Sequence, residues 1–346
     1  MKSFLKYSKK EIDKAGDVLA GISDEKITQD LAIEILENFR SIHIHPLIVF
    51  RMSLIRKSKS INSNVLISQR LKRAPSIISK LKIQENMSLS QMQDVGGLRA
   101  VVDNLEEVYK LRDLLKKGEQ EAAFKSTFLK EKDYIKEPKE SGYRSIHLIY
   151  KYDKKVSIDC QCRIEIQLRT KIHHAWATAV EVIGTYLRQP LKQSFGDAEL
   201  LDLFKEISKA FIMLEYDDID IIFFQKISKR IKELKLRDKI EGFSVATQIS
   251  TKETKKERGK YYLISLNFKN KLLNIERYSE SKLDQANNQY TKLEKKYLND
   301  KNTEIVLVSV DDINNLEKLY PNYFLDTQEF VKLLDVIEEK IIDYEK

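Results

Sequence analysis

Apolar residues recur at helical spacing through residues 9–40, and Pro46 is expected to close this polar, helix-rich opening segment of about residues 1–45. From about 94 to 170 the pattern changes to strands: LRAVVD at 98–103, SIHLIYKY at 145–152 and DCQCRIEIQLR at 159–169. A helical stretch, EEVYKLRDLLKK, lies between the first two, so strand, helix and strand follow one another as in a mixed α/β layer. Helical patterns return at 171–187, 197–215 and 220–237. A basic, turn-like stretch, TKETKKERGK at 251–260, separates strand candidates near 243–250 and 261–268, which are expected to form a hairpin. LLNIERY, a Lys/Glu-rich helix at 280–297, the strand EIVLVSV at 304–310 and two last helices complete a second α/β unit spanning 242–346.

The stretch 159–169 alternates strictly. Asp159, Gln161, Arg163, Glu165, Gln167 and Arg169 are polar, whereas Cys160, Cys162, Ile164, Ile166 and Leu168 are apolar. Successive side chains on a strand face opposite ways, so one face is core and the other wet, and a slip of one residue would bury six polar groups. Both cysteines belong to the core face; they are too close in one strand to bridge each other.

With 346 residues and 42% apolar sequence, the chain is long enough for about two domains. Only 10 glycines and 5 prolines exclude collagen-like or linker-rich architectures. The formal charge of +8 favours polyanionic partners. No stretch approaches the roughly 18 apolar residues of a membrane helix, and the start lacks a signal-peptide core, so a cytoplasmic protein without membrane contact is expected. Two cysteines rule out a disulfide framework or a cysteine-rich zinc site.

Three further segments concentrate chemistry. DVGGLR at 94–99 sets an acid ahead of Gly96, Gly97 and Arg99 at the mouth of a strand, where glycines permit close backbone approach or a bulge. DYIKEPKESGYRSIH at 133–147 is a loop by its Pro138 and Gly142, and gathers Lys139, Arg144 and His147 around Tyr143, a set suited to a stacked base with its phosphates. RLKRAPSIISK at 70–80 clusters Arg70, Lys72, Arg73 and Lys80 around a first-turn Pro75, so cations and unpaired N–H groups converge on an anion. P-loop, dinucleotide-fold and zincin motifs are absent. The pairs His43/His45 and His173/His174 lack carboxylates at ligand spacing.

In order and spacing these segments resemble the synthetase domain of the RelA/SpoT-homologue family. The likeness rests on R-x-K-x3-S-x3-K at Arg70, Lys72, Ser76 and Lys80, D-x2-G-L-R at Asp94 to Arg99, DYI-x2-PK-x2-GYRSIH at Asp133 to His147, and E-x-Q-x-R-T at Glu165 to Thr170. It covers about residues 45–190. It implies an α/β (α+β), mixed-sheet, nucleotidyltransferase-like synthetase domain flanked by helices at 46–240, ahead of the small C-terminal α/β unit read from the pattern. It also implies transfer of the β,γ-pyrophosphate of ATP to a ribose 3'-hydroxyl, with Mg2+ as cofactor and release of AMP. By this resemblance Arg70 and Arg99 sandwich adenine, Lys72 and Lys80 hold ATP phosphates beside Ser76, and Asp94 and Glu165 bind the metal. Glu165 also activates the hydroxyl with support from Gln167, Tyr143 stacks the acceptor base, and Lys139, Arg144 and His147 bind the acceptor.

No His-Asp dipeptide occurs, so synthesis without HD-type hydrolysis is expected. YPNYFLDTQEFVKLL near the end places Tyr320 and Tyr323 in a Y-x-x-Y pattern ahead of a helix. This is similar to the fused toxin–antitoxin branch, CapRel, in which such a motif covers the ATP site until a phage protein releases it and the acceptor is the tRNA 3' end. Three readings result: an alarmone synthetase acting on GDP or GTP, a tRNA pyrophosphokinase held off by its C-terminal domain, and an inert nucleotide or RNA sensor.

Overall fold

The computed structural model describes residues 5–84, 86–117, 126–152, 162–187, 191, 196–237, 240, 248–251, 261–267, 270, 272–298, 300, 302–309 and 327–346. The alternation read in the sequence shapes its centre. Strand β5 (Arg163–Thr170) buries Ile164, Ile166 and Leu168 on one face and turns Glu165 and Gln167 to the other. It lies between β4 (Ile146–Tyr152), antiparallel, and β2 (Gly96–Val102), parallel. With β1 (Leu66–Leu71), β3 (Ser126–Asp133), β6 (Gln248–Thr251), β7 (Tyr261–Asn267), β8 (Leu272–Tyr278) and β9 (Thr303–Ser309), the strands form one sheet in the order β3-β4-β5-β2-β1-β9-β7-β8-β6. The mixed α/β class expected from the sequence is thus the observed one.

The core face is covered by α1 (Lys9–Ala20), α2 (Gln29–Ser41), α3 (Ile44–Lys59), α4 (Ala74–Ile83) and α5 (Leu105–Lys117). Cys162 belongs to this core, whereas Cys160 lies outside the described residues. A second core joins α6 (Lys171–Leu187), α7 (Ala198–Tyr216) and α8 (Ile221–Glu233) to the last helix, α10 (Gln328–Glu345). Helix α9 (Leu283–Lys296) packs through Tyr290 onto Leu263 of β7 and Ile305 of β9. No described helix is long and apolar enough to cross a membrane.

Three expectations need correction. Pro46 does not close a segment: it sits in the first turn of α3, where a missing N–H costs nothing because that donor has no intrahelical partner anyway. The hairpin is not formed by the strands near 243–250 and 261–268. Instead β7 pairs with β8 around a turn in which the Asn270 N–H donates to Asn267 Oδ1, and β6 pairs with the far edge of β8 in parallel. Gly96 and Gly97 carry no bulge; both pair in regular register with β1 and β5.

His43 precedes α3 and is fully buried, its Nδ1 2.9 Å from the Phe39 carbonyl. Burial pushes its pKa down from 6.5 to about 4. The unfolded chain therefore takes up a proton near pH 6.5 that the folded chain refuses until about pH 4. This contribution is present in full above about pH 6.5 and is lost as the pH falls through about 4, amounting to about 3 kcal/mol. Urea unfolding at pH 7 and pH 4.5 should show that decline, and the decline should be flatter in His43→Gln; an equal slope in the variant would refute the assignment.

Candidate active site

Strand register sets the site out in rows. Arg70 of β1, Gly97 of β2 and Glu165 of β5 are paired across the sheet, and Ser68, Arg99, Gln167 and His147 form the adjoining row. Gly97 leaves a gap between Arg70 and Glu165. A β-carbon there would meet only the Arg70 carbonyl oxygen, at 3.8 Å, whereas one on Gly96 would strike Ile164 Cδ1 at 2.7 Å in the core. The two glycines thus do different things: Gly96 permits close packing and Gly97 keeps the polar face open.

At one end of these rows the Asp94 carboxylate accepts from Lys72 Nζ at 3.0 Å and from Lys80 Nζ at 2.9 Å. Burial alone would raise the Asp94 pKa, but the two ammonium groups outweigh it and hold the carboxyl below its usual range. Burial, aided by the nearby Lys80 and Arg70 charges, pulls Lys72 down despite Asp94. Ser76 stands in the first turn of α4, from which Lys80 also projects. Arg99 Nη1 lies 3.3 Å from His174 Nδ1.

At the other end, Glu165 Oε1 accepts from His147 Nδ1 at 2.9 Å, and Oε2 accepts from Gln167 Nε2 at 2.7 Å. Burial opposes ionisation of Glu165, but His147 and Gln167 win and hold it well below the ordinary carboxylate range. Burial would likewise lower His147, yet Tyr143 and Glu165 raise it. The Tyr143 hydroxyl lies 2.8 Å from His147 Nε2 and accepts from Arg169 Nη2 at 2.5 Å, while Arg169 also donates to Gln167 Oε1 at 2.9 Å. The Tyr143 ring is only 5% exposed, with Lys139 Nζ and the Arg169 guanidinium about 5 Å from its centre.

The loop that brings Tyr143 here is fixed by α6 and α7. Gly142 has φ +88°, and any side chain on it would press on Ser208, Lys205 and Trp176; the Ser208 hydroxyl donates to its carbonyl at 2.6 Å. Arg144 turns away from the Glu165 network and donates to the Ile135 carbonyl at 2.7 Å, facing Glu215 and Tyr216 of α7. Tyr320 and Tyr323 lie outside the described residues.

Sequence reasoning passed over Tyr134, whose ring meets His147 edge-on at 5.2 Å and Lys139 at 4.8 Å, and the bracing parts of Arg169 and His174. Tyr134 was discoverable as the aromatic of the quoted DYI segment. Neither histidine pair converges on a metal: His43 and His45 bond separately to the Phe39 carbonyl and the Tyr152 hydroxyl, and His173 Nε2 lies 3.2 Å from Glu215. Among the described residues no group of three or more His, Cys, Asp and Glu side chains could hold a metal ion.

Fold and site together define a mixed α/β protein whose polar sheet face opposes a cation-clasped carboxylate to a histidine-clasped one, an arrangement suited to polyphosphate chemistry. Residues 69–189 match the family model described as a region found in RelA / SpoT proteins. Over 116 residues the chain is 34% identical to the GTP pyrophosphokinase YjbM of Bacillus subtilis, covering 32% of this chain and 52% of that protein. It is 30% identical over 134 residues to the GTP pyrophosphokinase YwaC of the same organism, covering 37% and 61%. The chain spans about half the length of the first of these relatives and about three fifths of the second. The crystal structure of small alarmone synthetase 2 from Bacillus subtilis is similar at 25% identity and a TM-score of 0.44, covering 52% of this chain and 94% of that one. Over residues 69–189 the chain therefore matches the RelA/SpoT region and is similar to these pyrophosphokinases.

The contrast between the glycines is directly measurable. Gly96→Ala should lower the unfolding free energy by about 1–3 kcal/mol, as overpacking of a filled core does. Gly97→Ala should change it by less than about 0.5 kcal/mol, since its β-carbon enters open space. Equal losses on chemical denaturation would refute the two-faced reading.

Proposed function

We propose that the chain is an ATP-dependent pyrophosphokinase of the RelA/SpoT type that transfers the β,γ-pyrophosphate of ATP to the ribose 3'-hydroxyl of GDP or GTP. The observation that carries this reading is the placement of Asp94, Lys72 and Lys80 on one side, and Glu165, Gln167 and His147 on the other, of the open strip at Gly97. The named activity of the relatives as GTP pyrophosphokinases supports it.

In this mechanism the acceptor's 3'-oxygen attacks the β-phosphorus of ATP, the bond to the α,β-bridging oxygen breaks, and AMP leaves. Lys72, Lys80 and Arg70 balance the phosphate charge, which is most of what a protein contributes to such a transfer. Polyphosphate arriving at the lysines competes with Asp94 for them and frees carboxylate oxygen. Asp94 and Glu165 fit Mg2+, which is commonly held by one or two carboxylates together with substrate phosphates, and which would neutralise charge on the transferred group. Glu165 accepts the hydroxyl proton. Its depressed pKa makes it a weak base while His147 and Gln167 grip it, so an acceptor that displaces either partner also makes the carboxylate more basic. Tyr143 serves the acceptor base once Lys139 moves from its ring.

The decisive experiment incubates the purified chain with Mg2+ and ATP labelled in its terminal phosphates, offering GDP, GTP and deacylated tRNA separately. Label is expected on the guanine nucleotides, with AMP released in equal amount and the rate reduced at least 10²-fold in Glu165→Gln. Label on tRNA alone would replace the acceptor and favour the reading in which Tyr320 and Tyr323 restrain a toxin. No transfer to any acceptor, by the chain or by its Tyr320→Ala/Tyr323→Ala variant, would overturn the enzymatic reading.

A further inference from the structure

The first turn of α4 carries Ser76 and leads on to Lys80, yet its N-cap residue, Arg73, supplies no side-chain cap. Pro75 has no N–H, so the Ala74 N–H is the leading donor of this turn. It donates to Oε1 of Glu294 at 2.9 Å, a carboxylate of α9 that lies 220 residues further along the chain. The other oxygen, Oε2, accepts from Arg40 Nη1 of α2 at 2.5 Å. Arg40 Nη2 donates to the Tyr290 hydroxyl at 2.7 Å, and that hydroxyl donates to Glu294 Oε1 at 2.9 Å. Arg40 Nε completes the set by donating to the Lys72 carbonyl at 3.0 Å.

One buried unit of three side chains therefore grips the chain at the Lys72 carbonyl and at the Ala74 N–H, two residues apart. Between them Arg73 pairs with Glu304 of β9 at 2.7 Å, and the Lys72 N–H donates to the Val95 carbonyl, next to Asp94, at 2.8 Å. Buried ion pairs are poor devices for stability, because apolar replacements of the same size often do as well or better. They are good devices for geometry, because a guanidinium and a carboxylate lock in a fixed fork.

We propose that Glu294 is a positioning residue for the nucleotide site: held by Arg40 and Tyr290, it fixes the turn Lys72–Ala74 and so aims Lys72 and Lys80, making ATP affinity depend on helix α9. This rests on the reading of that face as the ATP site. The carboxylate replaces a missing helix cap and does not touch the reacting atoms.

The test uses the full chain and a nonhydrolysable ATP analogue with Mg2+, with affinity read by titration calorimetry beside Tm. Glu294→Gln leaves Arg40 buried without a counter-charge, so both Tm and affinity should fall. The double variant Arg40→Met with Glu294→Met removes both charges; its Tm should return to within a few degrees of the unchanged protein while affinity stays about tenfold weaker. Analogue binding within twofold of the unchanged protein in the double variant would overturn the inference, since a merely structural pair predicts that. If the double variant does not fold, Tyr290→Phe, which keeps both charges and releases two hydrogen bonds, should weaken binding two- to fivefold at nearly constant Tm, and unchanged affinity there overturns the inference. An unchanged protein that fails to bind the analogue would instead remove the ATP reading itself, and this inference with it.

Discussion

The parallel pairing of β2 with β5 is the constraint on which the rest of the functional face depends. It sets Gly97 opposite Glu165 and Arg99 opposite Gln167, and because side chains alternate along both strands it consigns Leu98, Ala100, Ile164 and Ile166 to the core at the same stroke. A shift by one residue would put Leu98 beside Glu165 and bury Arg99. Neither the core nor the polar strip could survive that exchange. The chemistry and the packing therefore share one register, which explains how a bare strip can persist on a sheet otherwise densely covered.

The charges on that face come as opposed clasps. Two lysines hold Asp94; a histidine and a glutamine hold Glu165. Each half-buried carboxylate is thereby kept ionised against the cost of its desolvation, and each clasp consists of groups that substrates can compete for. Arg169 extends the second clasp outward through Tyr143, joining the sheet to the loop that α6 and α7 steady from behind.

Much of this was legible in the sequence because local patterns encode it. The alternation in β5, the first-turn Pro75 and the glycine pair before Leu98 each state a physical requirement within a few residues. What stayed hidden was non-local or masked by a competing rule. Strand β3 carries Lys130, Glu131, Lys132 and Asp133 on an edge of the sheet and so shows no apolar period. Helix α3 was lost behind Pro46, although Leu47, Phe50 and Leu54 keep helical spacing. Arg169 belongs by parity to the wet face, yet it is buried because Tyr143 covers it, and a strand's own sequence cannot say what will lie over it. The insertion of β8 between β7 and β6 has no local signature at all.

The joint between β1 and β9 has a consequence of a mechanical kind. Among the described residues its ladder runs for two pairs, Gln69 with Ser309 and Arg70 with Val308, while β1 meets β2 over six and β9 meets β7 over seven. A sheet parts first along its shortest ladder, so this line is a seam across an otherwise continuous surface. Arg70 is one of the stitches. Strain from the outer four strands is shared at this joint between Arg70 and the Arg73–Glu304 and Arg40–Glu294 pairs, so the compliance of the seam bears on the residue that flanks the open strip.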